Sequence, residues 1–151
     1  MEGRAVKAAT IETDVAPRTS PRGTETVLIV EDEGEVRAVA RDILEAVGYT
    51  VLEARTPEEA LLIAVHHAGP IPLVLTDVVM PRISGCALFR RLSVLRPGMR
   101  VLYMSGHAHE AIVRHGVVDF GRAFVPKPFT LDGLARKVRE VLDDARAGEP
   151  G

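Results

Sequence analysis

The chain has a single cysteine, Cys86, in 151 residues. An internal disulfide is therefore excluded, and this usage suits a reducing cytoplasm. No apolar run approaches the roughly 18 residues of a transmembrane helix. The N-terminus lacks the apolar stretch of a signal peptide. A cytoplasmic protein with no membrane partner is expected. Neither positive nor negative charge is in large excess, the net being −2. Nucleic acid would call for a basic face, so no nucleic-acid partner is expected. No cysteine–histidine cluster offers a soft-metal site. His66 and His67 are adjacent, point different ways on a helix and make a poor metal pair.

What is present is a globular composition, 46% hydrophobic and 26% charged, of a length that fits one domain. Residues 1–24 mix charges with Pro17, Pro21 and Gly23 and show no hydrophobic period, so a flexible leader or linker is expected there. Order is expected over 25–145, followed by a short tail over 146–151.

Thr26 to Val30 is a continuous β-rich run, the pattern of a buried strand, and three carboxylates follow it, Glu31, Asp32 and Glu33. A helix follows from about Glu35 to Val47, with Val36, Val39, Ala40, Ile43, Leu44 and Val47 on one face and Gly48 as its stop. Thr50 to Ala54 is the second strand. Thr56-Pro57-Glu58-Glu59 is a helix start, with Thr56 as N-cap, Pro57 at the first position and Glu59 completing a capping box. That helix runs to about His67, with Ala60, Leu61, Ala64 and Val65 on one face.

Leu73 to Thr76 is the third strand, with Asp77 at its end and Pro81 closing the turn beyond. Ser84-Gly85 opens a helix carrying Leu88, Leu92 and Leu95. Arg100 to Met104 is the fourth strand, ending in Ser105-Gly106, and a shorter helix covers about Glu110 to His115. Arg122 to Val125 is the fifth strand, ending in Pro126-Lys127-Pro128-Phe129. Thr130 caps a last helix that buries Leu131, Leu134, Ala135, Val138, Val141 and Leu142. Five strands alternating with five helices predict an α/β fold, a doubly wound five-stranded parallel sheet of the (βα)5 type. The flavodoxin-like order 2-1-3-4-5 is the common solution.

Taken alone, Asp77 caps a turn as readily as it serves a site. In a parallel sheet, however, all strand ends lie on one edge. Glu31 and Asp32, Asp77, Ser105 and Lys127 then converge from four segments on the crevice at the topological switch point. Carboxylates about 4 Å apart repel by on the order of 1–4 kcal/mol per pair, so a positive partner is required. Hard oxygen ligands suit Mg²⁺ or Mn²⁺, and the Lys127 ammonium adds a second positive charge. Metal, ammonium and the Ser105 hydroxyl around one carboxylate make a cradle for a phosphoryl group, with Asp77 as the nucleophile that forms an aspartyl phosphate.

Four motifs stand at these strand ends in order: Val27-Leu28-Ile29-Val30-Glu31-Asp32-Glu33; Leu75-Thr76-Asp77-Val78-Val79-Met80-Pro81 with Gly85; Met104-Ser105-Gly106; and Val125-Pro126-Lys127-Pro128-Phe129. On these residues the chain, from about Thr26 to Asp144, resembles the receiver domain of two-component response regulators. The look of Gly23-Thr24-Glu25-Thr26 and Tyr103-Met104-Ser105-Gly106-His107 is nearest to receivers of hybrid sensor histidine kinases.

The resemblance implies Asp77 as phosphoacceptor, Asp32 as a direct Mg²⁺ ligand with Glu31 assisting, and the Val79 backbone carbonyl as a third ligand. It implies Ser105 and Phe124 as switch residues and Lys127 on the phosphoryl group, with a Lys127–Pro128 bond that is often cis. Val79 and His107 fall at positions that tune dephosphorylation. Val79 cannot orient a water, so at most slow self-dephosphorylation is expected. Glu31 stands where Asp is commoner, and Phe124 has no hydroxyl.

The implied donor is a histidine kinase or a histidine phosphotransfer protein. The implied downstream partner reads the face made by the fourth strand, the helix after it and the fifth strand. A monomer or a phosphorylation-dependent dimer is expected, and no output domain. Two other classes remain. One is a phosphorylation-independent adaptor with a vestigial site, against which the complete set of site residues argues. The other is an aspartyl-phosphate phosphatase, which needs a carboxylate where Val79 stands. A nucleotide-binding domain is weaker still, because no glycine-rich loop follows the first strand.

Overall fold

The computed structural model describes residues 20–105 and 124–144. Its elements in chain order are β1 (Thr26–Val30), α1 (Gly34–Ala46), β2 (Thr50–Ala54), α2 (Pro57–His66), β3 (Leu73–Asp77), α3 (Gly85–Leu95), β4 (Arg100–Ser105), β5 (Phe124–Pro126) and α4 (Leu131–Asp143). The helix expected over Glu110–His115 and the start of the fifth strand at Arg122 lie outside the described residues. The five strands form one parallel sheet in the order β2-β1-β3-β4-β5, as expected.

Both faces of the sheet are covered, which is why β1 and β3 read as unbroken apolar runs. Alternation sends Val27, Ile29, Leu73 and Leu75 into a core layer beneath α1 and α4. Leu28, Val30 and Val74 go into the opposite layer, beneath α2 and α3. With β2 and β3 on either side of β1, the order in which successive strands are added reverses between β1 and β3. That opens the crevice beyond their C-terminal ends.

Among the described residues, three of the four helices are capped by hydroxyls. Thr56, Ser84 and Thr130 accept from the backbone N–H groups of Glu59, Ala87 and Gly133. The capping box at Thr56 is only half formed. The Glu59 carboxylate accepts from the N–H of Arg55, one residue before the cap, at 2.7 Å, and pairs with the Arg55 guanidinium. α1 has no side-chain cap at Glu33, whose own N–H is engaged by Glu31.

Three expected core positions, Val39, Val65 and Leu95, point outward. Val65 is 58% exposed and Leu95 45% exposed, whereas Ala60, Ala64, Leu88 and Leu92 are buried. α2 is apolar almost all round, so its periodicity does not choose a face. The sheet selects the side with the alanines, which let the helix sit close. Leu95 is the last residue of α3, beyond its last buried position, Leu92. Val39 of α1 is likewise half exposed.

Packing also begins earlier than the expected leader boundary. Ser20 is buried and donates to Asp132 at 2.9 Å, and the Gly23 N–H donates to the Val47 carbonyl at 3.1 Å. Arg139 gathers Glu25, Tyr49 and the Arg22 carbonyl against α4. Residues 20–24 thus strap the domain, a role their mixed composition does not display. Among the described residues no helix is long and apolar enough to cross a membrane.

Candidate functional site

β1 and β3 are hydrogen-bonded neighbours, with Val30 opposite Thr76. Their next residues, Glu31 and Asp77, therefore leave the sheet side by side. Glu31 is 1% exposed and Asp77 7%, while Asp32 is open to solvent. One carboxylate oxygen from each of Glu31, Asp32 and Asp77 can be chosen so that all lie within 4.8 Å of one another. Lys127, delivered by the loop after β5, bridges the two buried members. Its Nζ stands 3.0 Å from Glu31 Oε1 and 2.9 Å from Asp77 Oδ1. The Lys127–Pro128 bond is cis. The second Glu31 oxygen accepts from the Glu33 N–H at 3.1 Å.

Thr76 turns its hydroxyl to the Asp77 carbonyl. The Val78 N–H donates to the Met104 carbonyl, and the Gly85 N–H to the Val78 carbonyl at 2.8 Å, which folds the loop after Asp77 back on itself. Val79 projects from that loop, half exposed. Ser105 ends β4, with the residue before it, Met104, paired to Asp77. Its side chain and His107 lie outside the described residues. Phe124 opens β5 opposite Tyr103 and packs on the α2–α3 core layer.

Desolvation decides the protonation of the site. Burial first, and then the charge of Asp77, push the Glu31 carboxyl from 4.5 up to about 7. Burial also raises Asp77 despite its bond to Lys127. Burial works to lower Lys127, but its bonds to Asp77 and Glu31 outweigh that and raise it, so the lysine stays charged. The donor set, three carboxylates with one open to solvent, fits a hard divalent cation.

A pH dependence follows. Glu31 takes up its proton more readily folded than unfolded, so its contribution is fully favourable below about pH 4.5 and is lost as pH rises toward 7. At about 1.4 kcal/mol per unit the full loss is on the order of 3 kcal/mol or slightly more. Glu25 acts in another window. Its bond to Arg139 lowers it from 4.5 to about 2, so its contribution is intact above 4.5 and is lost only on further acidification. Urea midpoints without divalent cations should therefore fall from pH 5 to pH 7.5, and Glu31→Gln should flatten the fall. An equally steep fall in the variant would assign the dependence to another group.

Sequence reasoning missed Arg37, which donates to the Glu31 backbone carbonyl at 2.8 Å. Its only signal is a position one turn into the helix after the acids, which does not say where the guanidinium lands.

The sequence profile described as the response regulator receiver domain matches residues 27–139. The chain is 40% identical over 132 residues to the sensor kinase CckA of Brucella abortus, covering 87% of this chain and 14% of that protein. It is 30% identical over 127 residues to the polar-differentiation response regulator DivK of Brucella ovis, covering 81% of this chain and 99% of that one. Among solved structures, the receiver domain of the hybrid histidine kinase CckA superposes with a TM-score of 0.64 at 38% identity, covering 78% of this chain and 99% of that one. A CheY-like receiver domain protein of Methanospirillum hungatei JF-1 gives 0.67 at 29% identity, covering 80% and 95%. The acidic corner is of the kind at which receiver domains bind Mg²⁺. The profile match and the sheet order agree: this chain belongs to the response regulator receiver domain family of two-component phosphorelay systems.

Proposed function

We propose that the chain accepts a phosphoryl group on Asp77 from the phosphohistidine of a histidine kinase or phosphotransfer protein in the cytoplasm. The observation that carries this reading is the Lys127 ammonium held between Glu31 and Asp77 at the switch point of the sheet. An Asp77 carboxylate oxygen attacks phosphorus. The bond from phosphorus to the donor nitrogen breaks, and the imidazole keeps the electron pair and takes up a proton. Mg²⁺, held by Asp32, Asp77 and the Val79 carbonyl with Glu31 assisting, would supply neutralisation of the phosphoryl charge; Mn²⁺ has the same ligand preference. Lys127 already donates to Asp77 and can pass that bond to a phosphoryl oxygen.

Ser105, at the end of β4, is the group to be drawn toward the adduct. A charge-assisted hydrogen bond of about 1.5–3 kcal/mol is enough to shift a two-state equilibrium. Phe124 then repacks, and the face made by β4, the segment after it and β5 is read by a downstream partner; the chain acts as a monomer or as a phosphorylation-dependent dimer. The Val79 side chain carries no oxygen to orient water, and with His107 it sets a slow loss of the phosphoryl group. The chain spans 14% of sensor kinase CckA and 99% of DivK, and the acceptor reading applies alike to a segment of a hybrid kinase and to a free-standing relay protein.

Intact mass after incubation with acetyl phosphate and Mg²⁺ tests the reading. One phosphoryl adduct is expected on the parent, none on Asp77→Ala, and none when Mg²⁺ is removed beforehand. After the donor is removed, the adduct should decay slowly. Absence from both proteins would favour the phosphorylation-independent adaptor. An adduct on both would mean another nucleophile.

A further inference from the structure

The Glu31 N–H makes the last bond of the β1–β2 ladder, to the Ala54 carbonyl at 3.1 Å. The Glu31 carbonyl lies beyond that ladder. Arg37 Nη1 meets it at 2.8 Å, and Arg37 Nε reaches Glu53 Oε1 at 3.2 Å. The Arg37 side chain is 17% exposed. Glu53 is itself shared, because Arg41 Nη1 holds its other oxygen at 3.3 Å. One guanidinium thus ties α1 to β2 and to the peptide group between Glu31 and Asp32. That peptide sets the direction in which Asp32 leaves the chain. Asp32 is the exposed member of the three-carboxylate corner, and Lys127 bridges only the other two.

We propose that Arg37 is a positioning residue for the divalent-cation corner. It fixes the Glu31–Asp32 peptide so that the Asp32 carboxylate meets the ion together with its two buried neighbours, and Glu53 holds Arg37 in that pose. The inference rests on the phosphoacceptor reading and adds to it a residue outside the acidic corner. Groups that orient metal ligands without touching the metal typically contribute 10–100-fold in affinity. Lysine can replace the charge of Arg37 but not its two-pronged reach.

The test is Mn²⁺ affinity from the electron paramagnetic resonance signal of the free ion, on the full chain, for the parent, Arg37→Met, Arg37→Lys and Glu53→Gln. Affinity should fall about 10-fold in Arg37→Met and by less in Arg37→Lys and Glu53→Gln. In adduct formation from acetyl phosphate, the half-saturating Mg²⁺ should rise by the same factor, with the rate at saturating Mg²⁺ kept. A merely structural role would not produce that split. Parent-like affinity in Arg37→Met overturns the proposal, as does a lowered saturating rate with unchanged affinity. Should Arg37→Met fail to fold, parent-like affinity in both Arg37→Lys and Glu53→Gln overturns it. A parent that binds no Mn²⁺ overturns the metal reading instead, and so the two failures are distinct.

Discussion

Lys127→Met is expected to destabilise the metal-free protein at pH 8 by about 3–5 kcal/mol, the range for removing one partner of a buried ion pair. That is a large share of the roughly 5–15 kcal/mol available to a domain of this size. Methionine keeps most of the length of the side chain and removes the ammonium. The Glu31 and Asp77 carboxylates, each bonded to Lys127 and almost fully buried, would then face one another with no positive partner. Their cheapest relief is to bind protons. The folded-state values of both groups, already raised by burial, should rise further. Stability is then lost as pH rises and regained as it falls. At pH 5 the variant should approach the parent, and Glu31→Gln added to Lys127→Met should recover much of the loss at pH 8. Urea midpoints at the two pH values decide the matter. A deficit of equal size at pH 5 and pH 8 would show that Lys127 acts through packing of its stem and not through charge.

The second large effect is expected at Gly85. A Cβ there would lie 2.0 Å from the carbonyl oxygen of Asp77, 3.1 Å from its carbon and 3.3 Å from Thr76 Cγ2. The nearest two atoms are backbone, so no flexible side-chain end can yield. Gly85→Ala must either open the loop and lose the bond to the Val78 carbonyl, or swing the Asp77 peptide and with it the proposed nucleophile. Overpacking of this kind costs about 1–3 kcal/mol, and the backbone involvement places the expectation at the upper end. A misplacement near 1 Å can cost about 100-fold in rate, so adduct formation should slow more than the lost stability explains. The comparison is Gly34→Ala, whose Cβ would meet only the Arg37 guanidinium at 3.8 Å. Its expected change in stability is within about 0.5 kcal/mol. Melting temperature and the rate of mass gain check both variants. Equal behaviour of the two alanines would remove steric closure from the account of the acceptor loop.

The sequence by itself determined the strands, most of the helix limits, the caps at Thr56 and Thr130, the helix start at Ser84, and the convergence of Glu31, Asp32, Asp77 and Lys127 on one edge. Each strand, helix and cap depends on forces that act within a few residues: apolar runs, helical periodicity, hydroxyl caps, glycine stops. The convergence needs only the rule that parallel strands end together. Tertiary structure decided what distant segments do to one another. It turned Val65 and Leu95 outward, because an α2 that is apolar almost all round and the last turn of α3 leave the choice of face to the sheet. It drew residues 20–24 into the domain through Asp132, Val47 and Arg139, partners remote in the chain. It aimed Arg37 at a backbone carbonyl, which no side-chain pattern encodes. Above all it set Lys127 against Glu31, 96 residues away, at 3.0 Å. Composition shows that such charges exist. Only the packed sheet removes the water between them and makes their pairing decisive.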